Sequence, residues 1–244
     1  MSLEDGGDGS TRPTVAAFDF DGTITRGGST LPFLIRARGL LPVLWAVGRT
    51  LPQIVKAGIF AGAAADEAKE RLFILLLADV PLERIERVGA AFAEQHLRRR
   101  QRPEVRARLD WHRQQGHHVV LVSASLEHYV EPAGRRLGVD GVLATRVAVG
   151  GSGLLTGRFE GKNCRGAEKY ARVVGWMRTQ GMAGAGPAQP VLWAYGNSRG
   201  DAWLLGSADH GVDAGRLGRY GRLSQFPPLA AVMAGESGAA DPSG

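Results

Sequence analysis

The chain has 244 residues, 44% of them hydrophobic and 22% charged, with a formal charge of +6. That is enough to bury a full core in one sizeable α/β domain, or a domain with an insertion, and no apolar run reaches the ~18 residues of a membrane-spanning helix. The basic surplus favours anionic partners over nucleic acid, for which no aromatic-interleaved basic motif or zinc-finger spacing is present, and the lone Cys164 excludes an intrachain disulfide and fits a reducing cytoplasm.

Residues 1–13 carry neither the basic nor the apolar region of a signal peptide and read as a disordered lead-in. Val15-Ala16-Ala17-Phe18 then reads as a buried parallel strand. It ends in Asp19-Phe20-Asp21-Gly22-Thr23, two carboxylates two residues apart before a glycine turn. At the carboxyl end of a strand both acids can converge on the crevice where open α/β sheets bind ligands. Carboxylates so placed suit a divalent metal, or a nucleophile beside a general acid.

From residue 31 to 98 the pattern turns helical, with Leu40-Leu41, Val43-Leu44-Trp45, Ile54-Val55 and Ile59-Phe60 interrupted by Arg36, Arg38, Arg49 and Lys56. One reading is a small helical domain packing its own core. The other is a helical cover whose apolar and basic residues face a lipid-like substrate or a membrane surface. Asp66 is placed to cap a helix, and a second helix is expected from Pro81 to Leu97. The Arg98–Arg102 run is expected to be a solvated junction.

Pro103 suits the first position of the next helix, which ends near Gly116. His118-Val119-Val120-Leu121-Val122 leads as a strand into Ser123-Ala124-Ser125; His117 and His118 lie at its far end and read as structural. A helix from Leu126 to Leu137 closes at Gly138. Val142–Val147 reads as one further strand, and Leu154–Phe159 returns after a glycine turn as in a hairpin. Lys162, Arg165 and Lys169 crowd the start of the following helix, against the preference of its dipole, which is reasonable where an anion docks. Val191–Tyr195 is another buried strand, followed by Gly196-Asn197-Ser198-Arg199-Gly200-Asp201, and a short strand near Val212 ends the sheet. The stretch 235–244 reads as a disordered tail.

Polar groups thus collect past the carboxyl ends of successive apolar strands: Asp19 and Asp21, Ser123, the cationic segment, then Asn197 and Asp201. The pattern predicts a doubly wound parallel sheet, with hard oxygen donors suited to Mg²⁺ and a hydroxyl and a lysine suited to phosphoryl oxygens. In these segments the chain resembles the haloacid dehalogenase superfamily, specifically subfamily IB, the phosphoserine-phosphatase-like branch. The matching motifs are Asp19–Thr23, Val122–Ser125, Asn163–Lys169 and Gly196–Asp201, in the family's order.

The resemblance implies an α/β, Rossmann-like core at 14–30 and 99–234, with a helical cap inserted at 31–98. It implies a Mg²⁺-dependent phosphatase. Asp19 would be the nucleophile and Asp21 the acid and base. Ser123 and Lys169 would hold the phosphoryl group, with Gly22, Thr23 and Ala124 lining its site. Asp19, Asp21, Asn197 and Asp201 would hold the metal. The sequence departs from the family where Asn197 stands in place of an aspartate. Lys162 and Arg165 remain alternatives to Lys169 in the third motif. The cap composition points to a lipid or otherwise bulky phosphate, with a small sugar, cyclitol or amino-acid phosphate as the alternative. A non-catalytic phosphate-binding module is a further alternative. The expected setting is cytoplasmic, with peripheral contact at the inner membrane surface and no obligatory protein partner.

Overall fold

A computed structural model describes residues 12–56, 62–182, 189–215, 223 and 225–239. In chain order the elements are β1 (Thr14–Phe18), α1 (Thr30–Arg38), α2 (Leu40–Lys56), α3 (Ala63–Leu77), α4 (Leu82–Arg100), α5 (Pro103–Gln114), β2 (His118–Leu126) and α6 (Glu127–Leu137). There follow β3 (Gly141–Thr145), β4 (Val147–Val149), β5 (Leu155–Phe159), α7 (Ala167–Thr179), β6 (Val191–Gly196), α8 (Ala202–Ser207), β7 (His210–Asp213) and α9 (Leu229–Ala239).

Five strands form one parallel sheet in the order β3-β2-β1-β6-β7. The strand order reverses beside β1, so the chain winds helices over both faces. Alternation along the strands supplies both cores. Ala16, Phe18, Val119 and Leu121 face one side, with α4, α5 and α6; Val15, Ala17, Val120 and Val122 face the other, with Val173 and Met177 of α7 and Leu204 and Leu205 of α8. The doubly wound sheet is therefore as the strand pattern predicts. Four helices, α1–α4, stand between β1 and α5. Among the described residues no helix is long and apolar enough to cross a membrane.

Several local expectations change. The stretch Val142–Val147 is not one strand. Gly141–Thr145 pairs in parallel with β2, whereas Val147–Val149 pairs antiparallel with β5 in a separate two-stranded hairpin. That hairpin packs on the insert, where the Leu155 amide donates to the Val80 carbonyl at 2.9 Å and the Asp79 amide to Leu155 at 2.9 Å. Gly157, at φ 75°, leaves room for α3: a Cβ there would stand 2.4 Å from the Ile74 Cα. Asp66 does not cap α3, which begins at Ala63 after Gly62. Strand β2 runs through Ser123 to Leu126, with a register shift past Ser123, so α6 starts one residue later than expected.

The arginine run also divides. Arg100 closes α4, but Arg102 is buried: its Nη1 donates to the Gly22 carbonyl at 2.8 Å and to the Ala214 carbonyl, and its Nε pairs with Glu104 at 3.0 Å. It is a strut under the first motif, not a solvated junction. Helix α9 continues to Ala239, past the point where the tail was expected to begin. Residues 1–11 of the expected lead-in, 240–244 of the tail, and Ile59 and Phe60 lie outside the described residues, as do the side chains of Ile54 and Val55.

Candidate active site

The site lies at the carboxyl ends of β1, β2 and β6 and at the start of α7. Asp19 follows the last residue of β1 and is buried; its amide donates to the Tyr195 carbonyl of β6 at 2.9 Å, fixing the end of the strand. The chain turns at Gly22, whose φ is 84° and whose amide bonds Thr25 at 2.8 Å. Only glycine fits here, because a Cβ would stand 2.1 Å from the Asn197 amide. The turn places Asp19 and the Asp21 carbonyl beside Asn197.

Lys169, in the first turn of α7, reaches the centre of the site. Its Nζ donates to Asp19 Oδ1 at 2.6 Å and to Asp201 Oδ1 at 2.5 Å. Burial works against its charge, yet the two carboxylates more than offset this and hold its pKa above the ordinary lysine value. Asp19 is held above the usual carboxylate range by burial and by the Asp201 charge, against the pull of Lys169. Burial acts in the same direction on Asp201, but Lys169 and the Ser198 hydroxyl keep its carboxyl below the usual range. Of the three cations expected near this helix, Lys169 is therefore the one in contact with Asp19. Arg165 lies on the flank, 3.8 Å from Asp66, and Lys162 lines a groove there with Glu67 and Glu70.

Asp21 is oriented by the second motif. Ser125 Oγ donates to its Oδ2 at 2.7 Å, while its Oδ1 is buried with no hydrogen-bond partner. Ser123, also buried, accepts the Ser125 amide at 3.0 Å, which leaves its hydroxyl hydrogen to donate into the site. Thr23 is buried against Asn197 at 3.2 Å. Asp201 was expected as a metal ligand, but both its oxygens are engaged. Oδ1 holds Lys169; Oδ2 accepts the Asn197 amide at 3.1 Å, the Ser198 amide at 2.9 Å and the Ser198 hydroxyl at 2.7 Å.

Whether these residues fit a divalent metal turns on the Asn197 amide. With its oxygen inward it lies 3.0 Å from the Asp21 carbonyl oxygen and 3.3 Å from Asp19 Oδ2, so acceptors converge with no proton between them. Turned over, the amide nitrogen donates to both oxygens and to Thr23 Oγ1. The first orientation is a cradle of hard oxygens for a cation such as Mg²⁺; the second closes it. Among the described residues no three His, Cys, Asp or Glu side chains gather in ligating geometry. The cradle therefore consists of the Asp19 carboxylate, the Asp21 carbonyl and Asn197, with one formal charge.

Sequence reasoning missed a layer of support. Lys69, on α3, donates to the Ala124 carbonyl and to Asn163 Oδ1 at 3.0 Å. Asn163 Oδ1 also accepts from Thr145 at 2.8 Å, and its Nδ2 donates to Asp66 at 2.6 Å. The insert is thus tied to the residue following Ser123 and to the third motif. Burial lowers the Lys69 pKa to about 8, opposed by Asp66 and Asp21. The signal was present but weak: Lys69 stands on the stripe of α3 that carries Phe73, Leu76 and Leu77 inward.

A doubly wound sheet carrying paired aspartates after β1, a hydroxyl near the carboxyl end of β2, a lysine at α7 and Asn/Asp after β6 defines a hydrolase of the haloacid dehalogenase type. A sequence profile of the haloacid dehalogenase-like hydrolases matches residues 16–205, and the chain belongs to that family. It is 32% identical over 199 residues to Protein CicA of Caulobacter vibrioides, covering 81% of this chain and 84% of that protein. Its fold is similar to that of a Bordetella pertussis Tohama I protein of unknown function, with a TM-score of 0.69, 20% identity and coverage of 93% and 97% of the two chains. It is also similar to a phosphoserine phosphatase solved as a phospho-aspartyl intermediate analogue, with a TM-score of 0.61, 17% identity and coverage of 92% and 99%. The fold is thus that of the phosphoserine-phosphatase-like branch.

Proposed function

We propose that this hydrolase is a Mg²⁺-dependent phosphatase that cleaves phosphomonoesters through an aspartyl-phosphate on Asp19. The observation that carries the reading is the pairing of Lys169 with Asp19 and Asp201, two residues before an Asp21 whose second oxygen is unpartnered. Asp19 Oδ2 attacks phosphorus in line, the ester P–O bond breaks, and Asp21 protonates the leaving oxygen. Asp21 then takes a proton from water, which attacks the aspartyl-phosphate and releases inorganic phosphate. Ser123 donates to a phosphoryl oxygen, and Lys169 offsets the charge gathered around Asp19. Mg²⁺, when bound by Asp19, the Asp21 carbonyl and Asn197, would reduce the repulsion between the carboxylate and the phosphoryl group.

Helices α1–α4 serve in this reading as a cap over the core. The substrate class we favour is a phosphomonoester with a bulky or apolar leaving group, a lipid phosphate in particular. The support is the composition of α1 and α2, which carry no carboxylate to recognise an amino group. The setting is the cytoplasm, with peripheral contact at the inner membrane face. The test is phosphate release from an aryl phosphate with Mg²⁺ or chelator, for the native chain and Asp19→Asn. Metal-dependent release lost in Asp19→Asn supports the reading; release by Asp19→Asn at the native rate overturns it. Equal turnover of lipid phosphates and small sugar phosphates would refute the substrate class alone.

A further inference from the structure

Helix α2 carries two apolar stripes. Val43, Ala46, Val47 and Thr50 face inward, with Val43, Ala46 and Thr50 fully covered. Leu41, Leu44, Trp45, Gly48 and Leu51, at spacings of three and four, form a second stripe that faces water. Leu41 is 77% exposed and Trp45 58%. Leu31 and Ile35 of α1 and Leu40 at the start of α2 are exposed as well. Among the described residues, only Val149 and Trp203 are exposed large apolar side chains outside these two helices. The outward stripe is therefore a concentrated feature, not the ordinary scatter of surface leucines.

The charges that α1 and α2 themselves carry have one sign. From Arg26 to Ala65 the sequence contains Arg26, Arg36, Arg38, Arg49 and Lys56 and no aspartate or glutamate. Arg36 and Arg38 are exposed on α1, and Arg49 lies over the Trp45 ring at 5.7 Å. Leucines and a tryptophan interleaved with arginines are the composition of a helix lying in a membrane interface. Its apolar side enters the acyl boundary, and its cations remain among anionic headgroups. A second copy of the chain fits less well, because a two-fold contact would set the same arginines against each other with no carboxylate between them.

The segment leading into α1 touches the active site. Ser29, just before α1, donates to the Tyr129 hydroxyl at 2.9 Å and lies 3.3 Å from Ser125 Oγ. Ser125 in turn holds Asp21.

We propose that the outward face of α1 and α2, centred on Leu41, Leu44 and Trp45 and flanked by Arg36, Arg38 and Arg49, docks on an anionic lipid bilayer and so sets the active site beside the headgroup layer. The lipid-phosphate part rests on the function proposed above; the docking itself needs no turnover.

The test is flotation of the full chain with vesicles of equal parts phosphatidylglycerol and phosphatidylcholine, against vesicles of phosphatidylcholine alone. The native chain should bind the anionic vesicles at least about tenfold better, with the preference lost in high salt. The doubly substituted Leu41→Ser/Trp45→Ser chain, and separately Arg38→Gln/Arg49→Gln, should each lose about tenfold in binding. Trp45 fluorescence should shift to the blue on binding, and Trp45→Phe should abolish that component. Both double variants should hydrolyse a soluble aryl phosphate like the native chain, so a docking failure and a catalytic failure are read separately. Absence of preference for anionic vesicles, or binding untouched by these substitutions, overturns the proposal. So does a concentration-dependent dimer that the same substitutions dissolve, which would assign the face to a second copy.

Discussion

Replacing Asn197 with aspartate tests the description of the metal cradle. In the metal-free protein the amide nitrogen can donate to Asp19 Oδ2 at 3.3 Å and to the Asp21 carbonyl at 3.0 Å. Asn197→Asp removes those donors and sets a second carboxylate against Asp19. Two unit charges about 4 Å apart repel by about 4 kcal/mol at an effective dielectric near 20. Rotation and partial protonation relieve some of this, so the metal-free variant should be about 2–4 kcal/mol less stable than the native chain. A bound divalent cation removes the repulsion. The same free energy therefore returns as affinity, and at about 1.4 kcal/mol per decade Mg²⁺ should bind roughly 30- to 700-fold tighter. Calorimetric titration with Mg²⁺ measures the affinity, and thermal melts in chelator and in Mg²⁺ measure the stability. Asn197→Ala, which lacks both donor and acceptor, should not bind Mg²⁺ more tightly than the native chain. Equal Mg²⁺ affinity in native and Asn197→Asp chains, or an Asn197→Asp melt unchanged in chelator, would refute the reasoning.

Three other substitutions probe the scaffold. Burial lowers the His128 pKa from 6.5 to about 4, with Arg146 adding to the effect, and its Nδ1 has no hydrogen-bond partner. Below pH 6.5 the unfolded chain takes up a proton that the folded chain refuses, so this histidine costs about 2 kcal/mol of stability at pH 5 relative to pH 8. His128→Leu should be spared that loss in denaturant titrations at the two pH values; parallel pH dependence would contradict the assignment. Gly89 lies where α4 crosses α6, and a Cβ there would meet the His128 carbonyl at 2.0 Å. Gly89→Ala should cost about 2–3 kcal/mol in a melt, through forced separation of the helices. Lys69→Met strands the Ala124 carbonyl and leaves Asn163 Oδ1 with Thr145 alone. It should cost about 2 kcal/mol, and aryl-phosphate turnover should fall by about tenfold as the backbone beside Ser123 loosens.

What the sequence determined by itself is mostly local. Alternation and apolar runs located β1, β2 and β6, because a strand buried on both faces needs uninterrupted small and branched side chains. Helical spacing located α4 and α7, and the order of polar groups after each strand located the site, because a parallel doubly wound sheet collects those ends along one edge. The outcome is less complete where neighbours in sequence compete. Val142–Val147 contains enough apolar residues for one strand, and only the partners, β2 on one side and β5 on the other, divide it at Arg146.

The tertiary structure alone decided the pairings. Lys162, Arg165 and Lys169 are equivalent as composition; Lys169 meets Asp19, 150 residues away in sequence, because the start of α7 aims it under the end of β1. Arg102 resembles its exposed neighbours until the Gly22 and Ala214 carbonyls are seen to need a donor. Lys69 and Asn163, 94 residues apart, become partners only when α3 folds onto the core. The Asn197 amide gains its two alternative meanings from oxygens on a loop 174 residues earlier. Periodicity is written between neighbours and is legible in the chain. Charge compensation in a buried site depends on which distant groups share the same few ångströms, and that is settled only by packing.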